Sequence, residues 1–257
     1  NFTGGEPTFF PDFEPLVQEV KNLDYKISVS SCGGRFVDRK FCKKITPFID
    51  QVCMSIHGHT QRLHNYHTGN PDSFKNLSIV MDNLSLFPII FFANILLTRI
   101  NLPHLKGIIS LLNRKGVKKA LFCNLCPEGT GLKNYPLLTP RLREIKKRLP
   151  DLIKFAEPKI FAFKMCDVPH CIFGDHIEYF IDCHPERRIN VKHRRKRKLI
   201  YFHVEKPLVP PPDKIKTEKC QSCVYFDKCE GIFKEYYHFF GDEEIEAVKK
   251  VKVCEAY

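Results

Sequence analysis

Three cysteines near the end of the chain, in Cys220-Gln-Ser-Cys223-Val-Tyr-Phe-Asp-Lys-Cys229, have the spacing of metal ligands. Two thiols separated by two residues can point at one centre from a tight turn, and the third reaches it from the next element along the chain. A fourth ligand is required. Cys171 is our choice, because it lies in the turn-forming stretch Cys166-Asp-Val-Pro-His-Cys171-Ile-Phe-Gly174, with Cys166 and Cys183 in reserve. Spacing alone admits a structural four-cysteine zinc site as well as an iron–sulfur cluster. A second pair, Cys123-Asn-Leu-Cys126, sits where a strand runs out into Pro127-Glu128-Gly129. Residues three apart on a strand face opposite sides of a sheet, so we read this pair as structural, with a redox or metal role as the alternative.

A different chemistry opens the chain. Gly4-Gly5-Glu6-Pro7-Thr8 reads as a tight turn carrying a carboxylate at the C-terminal end of a strand. Two glycines let the backbone come close to a ligand, and a fixed carboxylate can hold an ammonium group. A Gly-Gly-Glu-Pro turn has little specificity by itself; its meaning depends on the segments downstream of it.

The elements that would position these groups alternate between β-rich runs and helical periodicity. We expect helix over 12–22, strand over 25–31, helix over 35–45, strand over 50–57, helix over 71–86, strand over 88–97, helix over 102–114 and strand over 117–124, then helix over 139–156 and strand over 159–165. Such alternation is the signature of a parallel sheet, and right-handed βα crossovers wind the units into a barrel or partial barrel. Short strands come next at 177–182, 189–192 and 198–205, then a stiff proline segment, 207–212, and a final helix over 230–252. The chain has 257 residues, 43% of them hydrophobic, which suffices for one barrel-sized core plus an appendage. The longest apolar run, 84–97, contains Pro88 and Asn94 and is too short to span a bilayer. The opening residues carry no basic-then-apolar signal segment, and they lead us to expect that the chain begins mid-domain.

Twelve cysteines would suggest disulfides in a small secreted domain, but the core here is large, and the clustered thiols point to metal in a reducing, cytoplasmic setting. Seven of them (Cys32, Cys42, Cys53, Cys123, Cys126, Cys183 and Cys254) are scattered through apolar or mixed segments as small hydrophobes. Net charge is +12, and part of it is concentrated in Arg187-Arg188 and in the run from Lys192 to Lys198. Such a run either forms a solvated hairpin tip or neutralises phosphates or an acidic peptide.

The order of these motifs resembles the radical S-adenosylmethionine (radical SAM) enzymes. Gly4-Gly5-Glu6-Pro7 is similar to the family's GGEP motif, which contacts the amino group of the methionine moiety. Val29-Ser30-Ser31-Cys32-Gly33 takes the place of the next strand. Cys53-Met54-Ser55-Ile56-His57-Gly58 is similar to the fourth-strand segment, where Ser55 would line the ribose region. Ala93-Asn94-Ile95-Leu96-Leu97 and Asn101 resemble the fifth, with Asn94 near the methionine carboxylate or ribose. Leu121 to Gly129, including Leu125, looks like the sixth-strand end that closes over adenine. The likeness covers residues 1–165. Cys171, Cys220, Cys223 and Cys229, with Gly231 and Tyr236, resemble the auxiliary-cluster extensions of the twitch or SPASM type. One departure is large: the family holds its catalytic [4Fe–4S] cluster with CxxxCxxC, and no two cysteines of this sequence have the three-residue spacing.

The resemblance implies an α/β fold, a partial (β/α)6 TIM-like barrel over 1–165 that lacks its first strand and cluster loop, with an auxiliary-cluster extension over 166–257 that includes a small β-hairpin. It also implies cleavage of S-adenosylmethionine to a 5′-deoxyadenosyl radical, [4Fe–4S] clusters, and an electron donor such as ferredoxin or flavodoxin. The expected cofactor-binding residues are Gly4, Gly5, Glu6, Pro7, Ser55, His57, Asn94 and Leu125. Peptide or protein is the preferred substrate, since aromatic residues are sparse within the basic run; tRNA or another RNA is the alternative. A zinc-stabilised nucleic-acid binder without catalysis is the rival outside enzymology. No membrane partner is expected.

Overall fold

The computed structural model describes residues 1–160, 162–181, 190–196, 199–205 and 213–250. Cys183, Arg187, Arg188, Arg197, Lys198, the proline segment 207–212 and Cys254 lie outside the described residues, and for 190–205 only the backbone is described. The chain divides into two compact units, Asn1–Cys123 with Pro150–Lys164, and Asn124–Leu149 with Met165–Tyr257.

In the first unit α1 (Phe13–Asn22), β1 (Ser28–Ser31), α2 (Arg39–Ile45), β2 (Gln51–Ser55), α3 (Gln61–Thr68), α4 (Ser73–Leu84), β3 (Ile90–Leu96), α5 (Leu105–Arg114) and β4 (Lys119–Cys123) succeed one another in βα order. The strands form an open sheet in the order β1-β2-β3-β4-β5, where β5 is Ala162–Cys166, and the pairs from β1 to β4 are parallel. Phe2 adds a parallel bridge to Val29, so the segment leading into the Gly4-Gly5 turn lies at the outer edge of β1. Among the described residues the sheet does not close into a barrel.

One face of the sheet carries the core. Val29, Val52, Met54, Ala93, Ile95, Ala120 and Phe122 are buried there, and α5 covers core with the helical period Leu105, Ile108, Ile109, Leu112. The alternate residues of the same strands, among them Ser30, Cys53, Ser55, Asn94, Leu121 and Cys123, are only half-buried. A parallel sheet with one half-open polar face departs from the usual burial on both sides, and this marks the face as a place for a ligand.

Helix α3 is absent from the sequence expectation. It is a polar helix whose ends are set by caps: Thr60 Oγ1 accepts from Leu63 N–H at 3.3 Å, and Gly69 closes it in the left-handed region.

The second unit holds two short helices, α6 (Gly129–Lys133) and α7 (Tyr135–Leu138), the first part of α8 (Leu142–Ala156), a hairpin of β6 (Asn190–Lys196) and β7 (Leu199–Glu205), a two-residue ladder of β8 (Lys214–Ile215) with β9 (Ile232–Phe233), and α9 (Lys234–Phe240). Two expectations are corrected here. Where a strand was expected at 177–182, a short 3₁₀ segment runs over Gly174–Tyr179, and among the described residues of that stretch only Phe180 bridges a strand, at Met165. Phe180 instead packs its ring on His170 and Phe173, at 4.2 and 5.4 Å between centroids. Of the helix expected at 230–252, the described residues 230–250 form a helix only at α9. From Gly241 to Lys250 the described chain is irregular, and its polar groups are used elsewhere: Glu244 binds Arg141 and accepts from Tyr236 Oη at 2.5 Å, while Val248 N–H donates to Cys223 Sγ at 3.4 Å.

Candidate cofactor and cluster sites

Glu6 is held at the C-terminal end of β1 by donors from three residues. Ser31 Oγ donates at 2.9 Å, Cys32 N–H at 2.8 Å, Cys32 Sγ at 3.0 Å and Thr8 Oγ1 at 2.7 Å. Thr8 Oγ1 in turn accepts from Arg35 N–H at 3.0 Å, and Ser31 Oγ accepts from Gly33 N–H at 2.9 Å. Burial alone would raise the carboxyl pKa; the hydrogen bonds from Cys32, Thr8 and Ser31 outweigh it and hold the group below its ordinary value. Gly34 makes the arrangement possible, because a Cβ there would overlap Thr8 Oγ1 and the Glu6 carboxylate. The result is a fixed anion at the strand ends, where α/β sheets bind ligands.

Ser55 and Asn94 are register partners on β2 and β3, and Asn94 is paired in turn with Leu121 on β4. They therefore form a lateral row on the half-open face. Cys123 Sγ donates to Asn94 Oδ1 at 3.0 Å. Gly4 and Gly5 are exposed with positive φ, and Pro7 is buried at the start of a single 3₁₀ turn. His57 is turned into a stack with His64 and His67, each at 5.8 Å between ring centroids. Burial, with the neighbouring rings, lowers its pKa to about 4, so it is neutral at physiological pH. Leu125 is buried in the second unit.

Cys171, Cys220, Cys223 and Cys229 line one cavity of the second unit. Cys166 is buried and is not in its wall. Backbone N–H groups point at the sulfurs: Gly231 N–H reaches Cys229 Sγ and Val248 N–H reaches Cys223 Sγ, both at 3.4 Å, and the Glu246 backbone bonds Cys171. Burial, together with the three other thiols, pushes Cys171 up to about 11. Gly231 is required here, since a Cβ would overlap the Ile215 carbonyl. Among the described residues no three His, Cys, Asp or Glu side chains are close enough to grip a single ion. Four thiols round one cavity, with no carboxylate or imidazole needed to complete the set, supply the number and type of ligands that a [4Fe–4S] cluster takes. The donor set and its N–H···S bonds thus fit an iron–sulfur cluster.

Sequence reasoning passed over a buried group beside this cavity. Lys214 Nζ donates to Asp167 Oδ1 at 2.8 Å and to Glu230 Oε2 at 2.5 Å. Asp167 takes a positive φ of 57° just after β5, and Glu230 directly succeeds Cys229. The sequence offers no signal for it: Lys214 opens β8 in a stretch that also holds Lys216 and Lys219, and it looks like a surface lysine until the ladder of β8 and β9 buries it.

Comparison with known proteins points the same way as the motif order. A curated relative, an AdoMet-dependent heme synthase from Oleidesulfovibrio alaskensis, is 26% identical over 128 residues, covering 50% of this chain and 33% of the relative. The chain resembles the radical SAM enzymes. It spans about a third of the curated relative that it matches. No family profile matches. Similar solved structures include anSMEcpe with bound AdoMet and a peptide (22% identity, 60% of this chain and 45% of the other, TM-score 0.48). Others are TYW1 with a lysine-pyruvate adduct bound (19%, 59% and 48%, 0.45) and a domain of pyruvate-formate lyase-activating enzyme from Bacteroides vulgatus (14%, 62% and 92%, 0.44). Among the described residues no helix is long and apolar enough to cross a membrane.

Proposed function

We propose that this chain carries the cofactor-binding part of a radical SAM enzyme that modifies a peptide or protein, with an auxiliary [4Fe–4S] cluster on Cys171, Cys220, Cys223 and Cys229. The observation that carries the reading is the Glu6 carboxylate, fixed by Ser31, Cys32 and Thr8 at the end of β1. When bound, S-adenosylmethionine and a reduced catalytic cluster supply a 5′-deoxyadenosyl radical, with the electron coming from a donor such as ferredoxin or flavodoxin. The protein's own work is positioning. Glu6 accepts from the methionine ammonium, Gly4 and Gly5 let the backbone approach it, and Ser55 and Asn94 offer a hydroxyl and an amide along the half-open face to the ribose or carboxylate. His57 is neutral and supports the turn after β2. The four thiols of the second unit hold the auxiliary cluster, which binds substrate or relays an electron.

The test is anaerobic reconstitution of the full-length protein with iron and sulfide, then measurement of 5′-deoxyadenosine in the presence of a strong reductant. The expected outcome is 5′-deoxyadenosine from the wild type and a loss of about tenfold or more in Glu6→Gln, since a charge-assisted hydrogen bond contributes ~1.5–3 kcal/mol. No 5′-deoxyadenosine from a brown, cluster-loaded protein would overturn the proposal.

A further inference from the structure

A cleft of about 590 Å³ in the first unit lies away from Glu6 in sequence, between the loop after β2 and the loop after β3, and takes no part in the proposed cofactor binding. Its walls are His59, Arg62, Leu63, Tyr66, Ile100 and His104. Among the described residues no carboxylate lines it. Arg62 and Tyr66 are four residues apart on α3, so a guanidinium and a phenol ring stand side by side, about 5–6 Å apart at their Cβ atoms. Tyr66 is 66% exposed, which leaves a ring face open. His104 and His59 also line the cleft, with 5.7 Å between their ring centroids. The His59 ring rests on Gly107 of α5, where a Cβ would come within 2.7 Å of three ring atoms, and its Nδ1 is buried with no partner. Leu63 and Ile100 supply apolar surface.

Aromatic faces, apolar side chains, one cation and no opposing carboxylate fit a ligand that is flat and apolar at one end and anionic at the other. We infer that this cleft binds a nucleoside phosphate, with the base against Tyr66 and His104 and the phosphate on Arg62. Bases stack on aromatic side chains whatever their sequence, and guanidinium matches phosphate geometry. The net charge of +12 draws such ligands to the surface. The nucleotide can be free or an unpaired residue of an RNA; the chemistry at the cleft is the same.

The experiment is calorimetric titration of the full chain with adenosine 5′-monophosphate, adenosine, inorganic phosphate and a short single-stranded RNA. Adenosine 5′-monophosphate is expected to bind more tightly than adenosine or phosphate alone, and Tyr66→Ala and Arg62→Ala are each expected to weaken it about tenfold. Both side chains are exposed, so unchanged thermal unfolding confirms that the variants are folded. Tighter binding of the RNA, with the same dependence on both residues, assigns the cleft to RNA; RNA binding no tighter than the mononucleotide assigns it to a free nucleotide. No binding of adenosine 5′-monophosphate at millimolar concentration, or equal binding by wild type and both variants, overturns the inference. The result is independent of 5′-deoxyadenosine formation.

Discussion

Cys32 shows how one carboxylate organises its surroundings. The side chain is exposed, yet burial of the thiol atom and its bond to Glu6 raise its pKa. A raised thiol pKa means less thiolate at pH 8, and the thiolate is the reactive species. Alkylation of Cys32, read by peptide mass spectrometry, is therefore expected to be severalfold slower in the wild type than in Glu6→Gln; equal rates would show that Glu6 does not act on this thiol. The turn at Gly4-Gly5-Glu6-Pro7 was legible from residue types. Its partners Ser31, Cys32 and Thr8 were not identified as such, because they reach Glu6 from across 25, 26 and two residues of sequence and look like ordinary turn residues. The same holds for Cys171, whose three fellow thiols lie some fifty residues on.

At the scale of elements, the βα alternation was readable because amphipathic helices such as α5 and buried strands such as β2 carry clear periods. Three elements were misread or overlooked. Polar α3 is specified by its caps, not by an apolar stripe; the stretch before Phe180 is diverted by ring packing on His170; and the chain beyond α9 gives its N–H groups to sulfur. The ladder of β8 and β9 depends on Lys214 as well as on its own backbone bonds. Burial works against the charge of Lys214, but Asp167 and Glu230 outweigh it and raise its pKa to about 12. Because the folded value lies above that of an unfolded lysine, about 10.4, this contribution is full below pH ~10 and is lost as pH rises towards 12. Lys214→Met strands two buried carboxylates, so denaturant unfolding is expected to show a loss of ~3–5 kcal/mol. A change within ~0.5 kcal/mol would mean that the triad carries no net stability.

For the whole molecule, the sequence places a carboxylate turn and a thiol cluster far apart in the chain, and the structure assigns them to separate compact units. The fold class, as an incomplete barrel, was legible because strand and helix periods repeat in the motif order; the half-exposed face was not, since sequence spacing does not show which alternate strand residues are covered. What the first unit does depends on whether Glu6 recognises an amino group. Equilibrium binding of S-adenosylmethionine and of its analogue lacking the amino group, each measured on wild type and on Glu6→Gln, isolates that contact. The wild type should prefer S-adenosylmethionine by about tenfold or more, and Glu6→Gln should lose that preference without losing affinity for the analogue. An undiminished preference in Glu6→Gln would contradict the assignment of the ammonium to Glu6.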